Sequence, residues 1–265
     1  MNLEQKNLEL LRSLEDSNNA AVALGRNVIT VGCFRLLLNP EDAFPNFNYA
    51  VPLEGANDSQ VAQANLEPLF AAFKAADRLP RFEFTAELWP NLAGVLEAAG
   101  FALESTDPVM LVDLGSFKPF LAPNVHVRFL EPNDSDSDLA AMMTIQARGF
   151  GVGIDHGPSE DEIASTRASM KHGRRNALAT LSGQPAGAGV TLEIHGIAEL
   201  AGVATLPESR RHGVAASVSS ALCEAHFQVG GSAVWLSAGD DAAQACYEKI
   251  GFCVIGGRTN YRREP

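Results

Sequence analysis

The sequence predicts a mixed fold of the α/β (α+β) class, built from two successive units. The chain has 265 residues, a length that holds one large domain or two of ordinary size. Strand and helix patterns alternate, stop at a segment rich in turn formers, and then begin again. A short repeat pairs LAGVLEAAGFAL at 92–103 with AQACYEKIGFCV at 243–254, each a helix followed by Gly-Phe and a strand. Tandem domains at 1–118 and 124–265 are predicted, although chance similarity stays open, because glycine commonly ends helices.

In the first unit, leucines near helical spacing predict a short amphipathic helix over 3–14. The β-branched run before Pro40 and the segment FNYAVPL predict strands. Apolar residues three or four apart predict a helix over 59–79 with Ser59 as its N-cap. The unit then continues with a strand (RFEFTAEL), a helix (PNLAGVLEAAG) and a pair of strands around Pro108 (FALESTDPVMLVDL).

The segment LGSFKPFLAPN contains two prolines and several turn formers, which places a linker at 115–123. After it, VHVRFLEP predicts a strand and 135–149 a helix, and Ser159 and Glu162 stand in capping-box spacing at the start of a second helix. A hairpin turning at 182–185 follows. The closing elements are predicted as strand IAELAGVATL, helix GVAASVSSALCEAHFQ, strand AVWLSAG, helix DAAQACYEKIG and strand FCVIGGRTNY.

Charge and cysteine content exclude several classes of protein. There are 20 basic and 32 acidic residues, a formal charge of -12, whereas coating nucleic acid or an anionic membrane requires a basic surface. No apolar run of about 18 residues could span a membrane, so we expect a soluble, cytoplasmic protein. Cys33, Cys223, Cys246 and Cys253 form no CxxC pair and no zinc-like cluster with histidine. Free thiols and no metal are expected.

The strongest local signal is GVATLPESRRHGVAASVSSAL at 202–222, where an apolar strand meets a basic turn that runs directly into a helix. The first N–H groups of a helix have no intrahelical partner and carry the positive end of its dipole. Arg210 and Arg211 add charge just before them, and Gly213 allows close approach of the backbone. The segment predicts an anion site suited to a diphosphate. The phosphate motifs GxxxxGK[ST] and GxGxxG are absent.

These residues resemble a known family. The pattern [Q/R]xxGx[G/A], formed by Arg210, Gly213 and Ala215, is similar to the acyl-CoA pyrophosphate loop of the GNAT superfamily of N-acyltransferases. CYEKIGF at 246–252 resembles its second signature, a helix with a tyrosine followed by Gly-Phe. The resemblance covers 124–263, and for the first 115 residues it rests on the internal repeat. It implies two GNAT-like units in tandem, each a mixed twisted sheet flanked by helices, the N-terminal one degenerate.

The resemblance implies acetyl-CoA, or another short acyl-CoA, as cosubstrate, with no metal. The implied cofactor-binding residues are the strand residues Leu200, Gly202, Val203, Ala204 and Thr205 for the pantetheine amides, Arg210, Arg211, His212, Gly213, Val214, Ala215 and Ala216 for the diphosphate, and Asp240. Asp240 stands where the family frequently has asparagine. Its carboxylate suits a helix N-cap, so its contact with pantetheine stays open.

Two residues are implied as catalytic. Tyr247 matches the tyrosine that protonates the leaving thiolate, a role suited to a group with an ordinary pKa near 10, and a core aromatic is the alternative. Glu199 matches a carboxylate that takes a proton from the amine, and a plain strand carboxylate is the alternative. Glu193 and His195 on the preceding strand carry lower weight.

Other polar positions are weaker candidates. Asp155 and His156, in the glycine-rich loop at 149–162, could touch substrate, although loop polarity alone explains them. The cluster KHGRR at 171–175 suits a solvated turn better than a site for the nucleotide 3′-phosphate.

The first unit lacks these cofactor signatures. In it, PLEGANDSQVAQ replaces the pyrophosphate loop with Glu54 and Asp58, and Val95 stands where Tyr247 is expected. Such a turn repels a diphosphate, so we expect this unit to bind no acyl-CoA.

The function predicted from the sequence is N-acyl transfer from acyl-CoA to an amine by direct attack in a ternary complex. A catalytically silent acyl-CoA-binding regulatory module is the alternative from another class, because fold alone does not fix function. The expected partner is a small-molecule or peptide amine acceptor, with a homodimer left open. Aminoglycoside, polyamine, amino acid and protein N-terminus all stay open as acceptors.

Overall fold

The computed structural model describes residues 3–151, 157–170 and 173–264. The chain divides into two compact units, the first holding residues up to Val109 and those from Val254 onward, the second running from Met110 to Cys253. Each unit has a β-sheet with helices packed on it, so the predicted mixed α/β class is confirmed. In the described part of the chain, no helix is long and apolar enough to cross a membrane.

The first unit is built on a five-strand run in the order β1-β2-β3-β4-β11. Its elements are α1 (Leu3–Ala23), β1 (Asn27–Val31), β2 (Phe34–Leu38), β3 (Asn48–Pro52), α2 (Ser59–Ala75), β4 (Arg81–Thr85), α3 (Leu92–Ala98), β5 (Ala102–Asp113) and β11 (Cys253–Arg262). The helix α2 connects β3 to β4, and these two strands pair in parallel. The unit therefore contains the strand-helix-strand order predicted for it.

The helix α1 is longer than predicted, because it continues past residue 14 to Ala23. Its second half buries polar side chains as well as Leu14 and Ala21. The Glu15 carboxylate accepts hydrogen bonds from Thr85 N at 2.7 Å and from Trp89 Nε1 at 2.6 Å. Apolar spacing cannot indicate a helix face that is buried through hydrogen bonds.

Two further predictions for the first unit were wrong in detail. The N-cap of α2 is Asp58 rather than Ser59, and the helix ends at Ala75. The segment around Pro108 is one strand, β5, rather than two. Proline removes a hydrogen-bond donor, but its fixed φ is compatible with extended backbone, so the strand continues through it.

The second unit has a sheet in the order β10-β9-β8-β7-β6. Its elements are β6 (Val125–Leu130), α4 (Asp136–Gly149), α5 (Glu160–Ser169), β7 (Arg174–Leu181), β8 (Gln184–Ile194), β9 (Ile197–Thr205), α6 (Val214–Gln228), β10 (Ala233–Ser237) and α7 (Asp241–Glu248). Neighbouring strands are antiparallel except β9 and β10, which are parallel and joined through α6. The predicted capping box at the start of α5 is confirmed, since Ser159 and Glu162 bond reciprocally.

Helices cover both faces of this second sheet. On one face, α6 buries Val218 and Leu222 in a core that includes Ala198 and Leu200 of β9. On the other face, the buried side of α4 forms a core with Leu178, Ala188 and Ala204. Successive side chains of a strand point to opposite faces, so Glu199 points to the α4 side, between two residues that point toward α6.

The two compact units differ from the predicted domains at 1–118 and 124–265 at two places. The closing strand β11 pairs with β4, from Arg258 opposite Thr85 to Arg262 opposite Arg81, and therefore groups with the first unit. The boundary near residue 109 falls within β5, because that strand runs into the segment that precedes the linker.

The linker itself is packed against α6. The backbone N–H of Phe120 donates to Ser220 Oγ at 2.8 Å, and that of Ala122 donates to Ser217 Oγ at 2.9 Å. Two serines on the linker side of α6 thus satisfy backbone donors of a segment without regular structure. The linker is consequently part of the second unit.

Candidate functional site

A bulge interrupts β9 at the centre of the second sheet. The register of β8 shifts between Ala188 and Val190, so Gly202 and Val203 of β9 stand opposite a single residue. Gly202 has a φ of 57°, and a Cβ there would lie 2.4 Å from Gln146 Nε2. That nitrogen donates a hydrogen bond to Gly202 O at 2.9 Å. The bulge bends β9 and depends on glycine at this position.

β9 and β10 separate before the bulge is reached. Their parallel pairing runs from Ile197 to Glu199, opposite Ala233 to Trp235, and ends there although β9 continues to Thr205. The described part of β10 offers no register partner to the rest of β9. An open strand edge presents backbone N–H and C=O groups to an extended ligand. The predicted pantetheine-contacting residues, Leu200, Gly202, Val203, Ala204 and Thr205, all lie on this part of β9.

The basic turn follows the open edge directly. After a short 3₁₀ turn at Pro207–Ser209, Arg210 and Arg211 are exposed, and Gly213 is the N-cap of α6. Gly213 has a φ of 76°, and a Cβ on it would lie 2.7 Å from the Ala122 Cβ. Both the backbone conformation and the packed linker therefore require glycine here.

The start of α6 has no side-chain cap. The first intrahelical bond is that of Ser217 N to Gly213 O at 3.0 Å, so the N–H groups of Val214, Ala215 and Ala216 precede the helical ladder. No side chain of the cap residue competes for them, since Gly213 has none. The helix start is thus free to receive an anion, with the helix dipole in its favour.

The arginine side chains stand beside this helix start. Arg210 Nη2 donates a hydrogen bond at 3.0 Å to the carbonyl oxygen of Gly149, which is the last residue of α4. The remaining N–H groups of this guanidinium lie at the exposed surface. His212 Nδ1 donates to Arg210 O at 2.9 Å, which fixes the turn. The structure thus brings together the predicted diphosphate residues from 210 to 216 at one turn.

Tyr247 lies on α7 and packs into the core beneath α6. Its ring centroid is 5.7 Å from that of Phe252. Burial raises the pKa of Tyr247, and the nearby acidic groups of Cys246 and Asp240 raise it further. The Tyr247 hydroxyl neither donates a hydrogen bond to any of the described residues nor accepts one from them. A neutral hydroxyl without a protein partner is available to a ligand.

Asp240 is the N-cap of α7. Its Oδ1 accepts a hydrogen bond from Ala243 N at 2.7 Å, so the capping role expected from the sequence is confirmed. A contact between this side chain and pantetheine stays a prediction.

The two alternatives to Glu199 lie elsewhere. Glu193 pairs with Ala198 and therefore points to the α6 face, where its carboxylate is 3.6 Å from His226 Nδ1. His195 occupies the exposed turn between β8 and β9 with a φ of 55°. Of the three, Glu199 is the one on the α4 face of β9 next to the open edge. Asp155 and His156 fall outside the described residues.

The cluster at 171–175 is remote from the basic turn. Lys171 and His172 fall outside the described residues, and Arg174 pairs with Leu192 of β8. Thr205, which precedes the turn, pairs with Gly187 of the same strand. Five residues of extended strand span about 17 Å, so Arg174 and Arg175 belong to another part of the sheet.

The corresponding helix start of the first unit is closed by its own side chain. Asp58 Oδ1 accepts hydrogen bonds from Gln60 N at 2.9 Å and from Val61 N at 3.2 Å. The internal repeat places Leu96, rather than the expected Val95, opposite Tyr247, and both Leu96 and Val95 are buried in α3. This helix start already holds a carboxylate.

Sequence reasoning missed Gln146, Ser217 and Ser220. Gln146 holds the bulge of β9 through its bond to Gly202, and the two serines hold the linker that packs against Gly213. The only sequence signals for these roles were a glutamine on the sheet-facing side of α4 and serines within an otherwise apolar helix.

The chain is similar to known acetyltransferases. Residues 139–252 match the acetyltransferase (GNAT) family. A GCN5-related N-acetyltransferase from Kribbella flavida has a similar structure over 96% of this chain and 96% of that chain, with a TM-score of 0.79 and 23% sequence identity. A GCN5-related N-acetyltransferase from Sphaerobacter thermophilus covers 88% of this chain and 76% of that chain, with a TM-score of 0.65 and 15% identity.

A tandem arrangement is also found among the similar structures. A tandem GNAT protein from the clavulanic acid biosynthesis pathway covers 89% of this chain and 80% of that chain, with a TM-score of 0.63 and 15% identity. No curated protein matches the sequence. Residues 139–252 therefore match the acetyltransferase (GNAT) family, and the fold of the chain is similar to that of GNAT proteins, a tandem GNAT protein among them.

Proposed function

We propose that this protein is an N-acyltransferase that moves an acetyl or other short acyl group from CoA to an amine. The observation that carries the proposal is the start of α6, where uncapped N–H groups and two exposed arginines directly follow the open edge of β9. A diphosphate fits a helix start of this kind. The amides of pantetheine fit an unpaired strand edge.

The reaction begins with the amine. An alkyl ammonium group has a pKa near 10 and must lose a proton before it can attack. Glu199, half-buried on the α4 face of β9, accepts this proton directly or through water. The amine nitrogen then forms a bond to the thioester carbon, and the bond from that carbon to sulfur breaks. Holding the two reactants together supplies much of the acceleration.

Tyr247 acts on the departing sulfur. Its raised pKa keeps it a hydroxyl at any physiological pH, so it can donate a hydrogen bond to the thiolate as charge develops there. Complete transfer of its proton to sulfur is uphill, because a thiol has an ordinary pKa of about 8.5. The tyrosine therefore keeps its proton, the acylated nitrogen loses its extra proton to solvent, and the thiolate takes up a proton from solvent or from the protonated Glu199.

No metal enters this scheme. Among the described residues, no group of three or more His, Cys, Asp or Glu could hold a metal ion. The four cysteines are free, which supports a reducing compartment such as the cytoplasm as part of the proposal. Burial raises the pKa of the Cys223 thiol, which disfavours a thiolate nucleophile.

The experiment is release of free thiol from acetyl-CoA when amines of several classes are added. We expect at least one amine to accelerate release, and Glu199→Gln to slow it with little change in acetyl-CoA affinity. Asp241→Asn, an exposed carboxylate on α7, is the matched control. Tight acetyl-CoA binding without release for any amine would instead indicate the silent regulatory module.

A further inference from the structure

A second polar group lies on the same face of the sheet as Glu199. Arg174 of β7 pairs with Leu192 of β8, and Leu192 pairs with Glu199 of β9. Directly paired residues of neighbouring strands point to the same face. Arg174 and Glu199 therefore share one row across the sheet, two strand spacings or about 10 Å apart at their Cα atoms.

This row is accessible. Arg174, Leu192 and Glu199 are each half-buried, whereas the rows covered by α4, which hold Leu178 and Ala188, are fully buried. A ligand on the α4 face can thus reach along the row from Glu199 toward Arg174.

Arg174 and Asn176 form a group of donors that lacks an acceptor. Arg174 Nε donates to Asn176 Oδ1 at 2.9 Å, which fixes the orientation of the amide. Asn176 is completely buried, and its Nδ2 has no hydrogen-bond partner in the described structure. Buried donors without acceptors are rare in folded proteins and call for an explanation.

The charge of Arg174 is also unmatched. Arg128 pairs with Asp134, and Arg167 pairs with Asp136. Arg174 has no such partner among the described residues, and burial, with no opposing carboxylate, lowers its pKa. Guanidinium remains charged even so, and a buried charge is costly until an anion pairs with it.

Arg174 lines a cavity of about 510 Å³ together with Leu130 and Met170. A second arginine, Arg175, and two carboxylates, Glu131 and Glu193, line the same cavity. This mixture of charges disfavours a polyanion such as a nucleotide phosphate. It suits an occupant that carries both an anionic and a cationic group.

We propose that Arg174, oriented by Asn176, binds the carboxylate of the acceptor, so that the acceptor is an amine that also carries a carboxylate. Amino acids, diamino acids and short peptides belong to this class, whereas polyamines and aminoglycosides do not. The guanidinium fork matches a carboxylate through two parallel hydrogen bonds. The inference rests on the proposed function, since it assigns the amine end of the same molecule to Glu199.

The test uses pairs of amines that differ only in the carboxylate: L-lysine and cadaverine, L-phenylalanine and phenethylamine, glycylglycine and its amide. Binding to the full chain with CoA present is measured by calorimetry, and thiol release from acetyl-CoA is measured separately. For at least one pair, the carboxylate form should bind roughly tenfold more tightly or better. Arg174→Gln should remove that preference.

Two further variants separate binding from folding. Arg128→Gln removes the same charge from a residue that does not line the cavity, and it should retain the preference. Asn176→Asp supplies an internal carboxylate to Arg174, and it should remove the preference while the melting temperature is maintained.

The outcomes distinguish this inference from the proposed function. Equal binding within every pair, or an unchanged preference in Arg174→Gln, overturns the carboxylate site even if thiol is released. A preference that depends on Arg174, without thiol release for any amine, supports the site and contradicts the proposed transferase.

Discussion

The starts of α2 and α6 occupy corresponding places in the two units, and they are capped in opposite ways. Each helix joins two parallel strands. α2 begins after Asp58, whose carboxylate accepts two backbone N–H groups of the helix. α6 begins after Gly213, which has no side chain, with Arg210 and Arg211 just before it. The first helix start is satisfied from within the chain, and the second is open.

Under the proposed function, this difference in sequence separates a helix start that receives a diphosphate from one that does not. A carboxylate cap and a bound phosphate use the same N–H groups and the same end of the helix dipole. An aspartate at the cap thus excludes a diphosphate by occupation and by charge. Shared fold alone carries no binding activity.

Tyr261 of the first unit and Tyr247 of the second differ in a similar way. Tyr261 Oη donates to Glu97 Oε1 at 2.9 Å, and its ring stacks on Phe84. The Tyr247 hydroxyl has no hydrogen-bond partner among the described residues. Burial is the largest cause of the raised pKa of both. The Tyr261 hydroxyl is bound within the fold, and the Tyr247 hydroxyl is the one to which the proposed function assigns a ligand.

The largest expected effect comes from Tyr247→Phe. If its hydroxyl donates to the departing sulfur, kcat should fall about 100-fold while acetyl-CoA affinity changes little. The wild-type kcat should also show no decline from loss of this proton up to about pH 10, because the pKa is raised. Steady-state kinetics and the melting temperature are measured on the same preparation. A normal kcat with a lower melting temperature would make Tyr247 a core residue only.

Tyr261→Phe should affect stability instead. Loss of the bond to Glu97 should lower the free energy of unfolding by about 1–2 kcal/mol, with kcat unchanged. The pKa of Tyr261 is raised to about 12, above the ordinary value. The stabilisation is therefore complete below about pH 10 and is lost as pH rises through 12. Urea unfolding at pH 8 and pH 11 should show this loss in the wild type and a smaller one in the variant.

Asp58→Ala should have the smallest effect. Removing the cap of α2 should destabilise the protein by about 1 kcal/mol. Acetyl-CoA affinity should remain that of the wild type, because the turn before α2 keeps Glu54 and contains no arginine. Chemical unfolding and calorimetry check both statements, and Asp58→Asn, which retains a capping oxygen, should restore most of the stability.

Most elements could be predicted from the sequence because their signals are local. Apolar spacing predicted α2, and the Ser159–Glu162 capping box predicted the start of α5. Local sequence patterns did not predict the elements that depend on contacts with distant parts of the chain. The second half of α1 is held by Glu15 at β4 and Trp89, and β11 joins β4 across the sequence.

The candidate site likewise has one part that the sequence could predict and one part that it could not. The turn from Arg210 to Ala216 is contiguous in sequence, so one motif could predict it. The bulge at Gly202, the role of Gln146 and the row from Arg174 to Glu199 depend on strand register. Register is set by pairing between strands, and the spacing within one strand does not contain it.

The central claim is that CoA binds at the open start of α6 and nowhere else in the chain. Titration of acetyl-CoA into the full chain by calorimetry tests this most directly, with Arg210→Glu as the variant and Arg128→Glu as a control of equal charge change. The account predicts one equivalent bound per chain, with affinity weakened by on the order of 2 kcal/mol or more in Arg210→Glu and nearly unchanged in Arg128→Glu. Two equivalents bound, or an unaltered affinity in a folded Arg210→Glu variant, would contradict it.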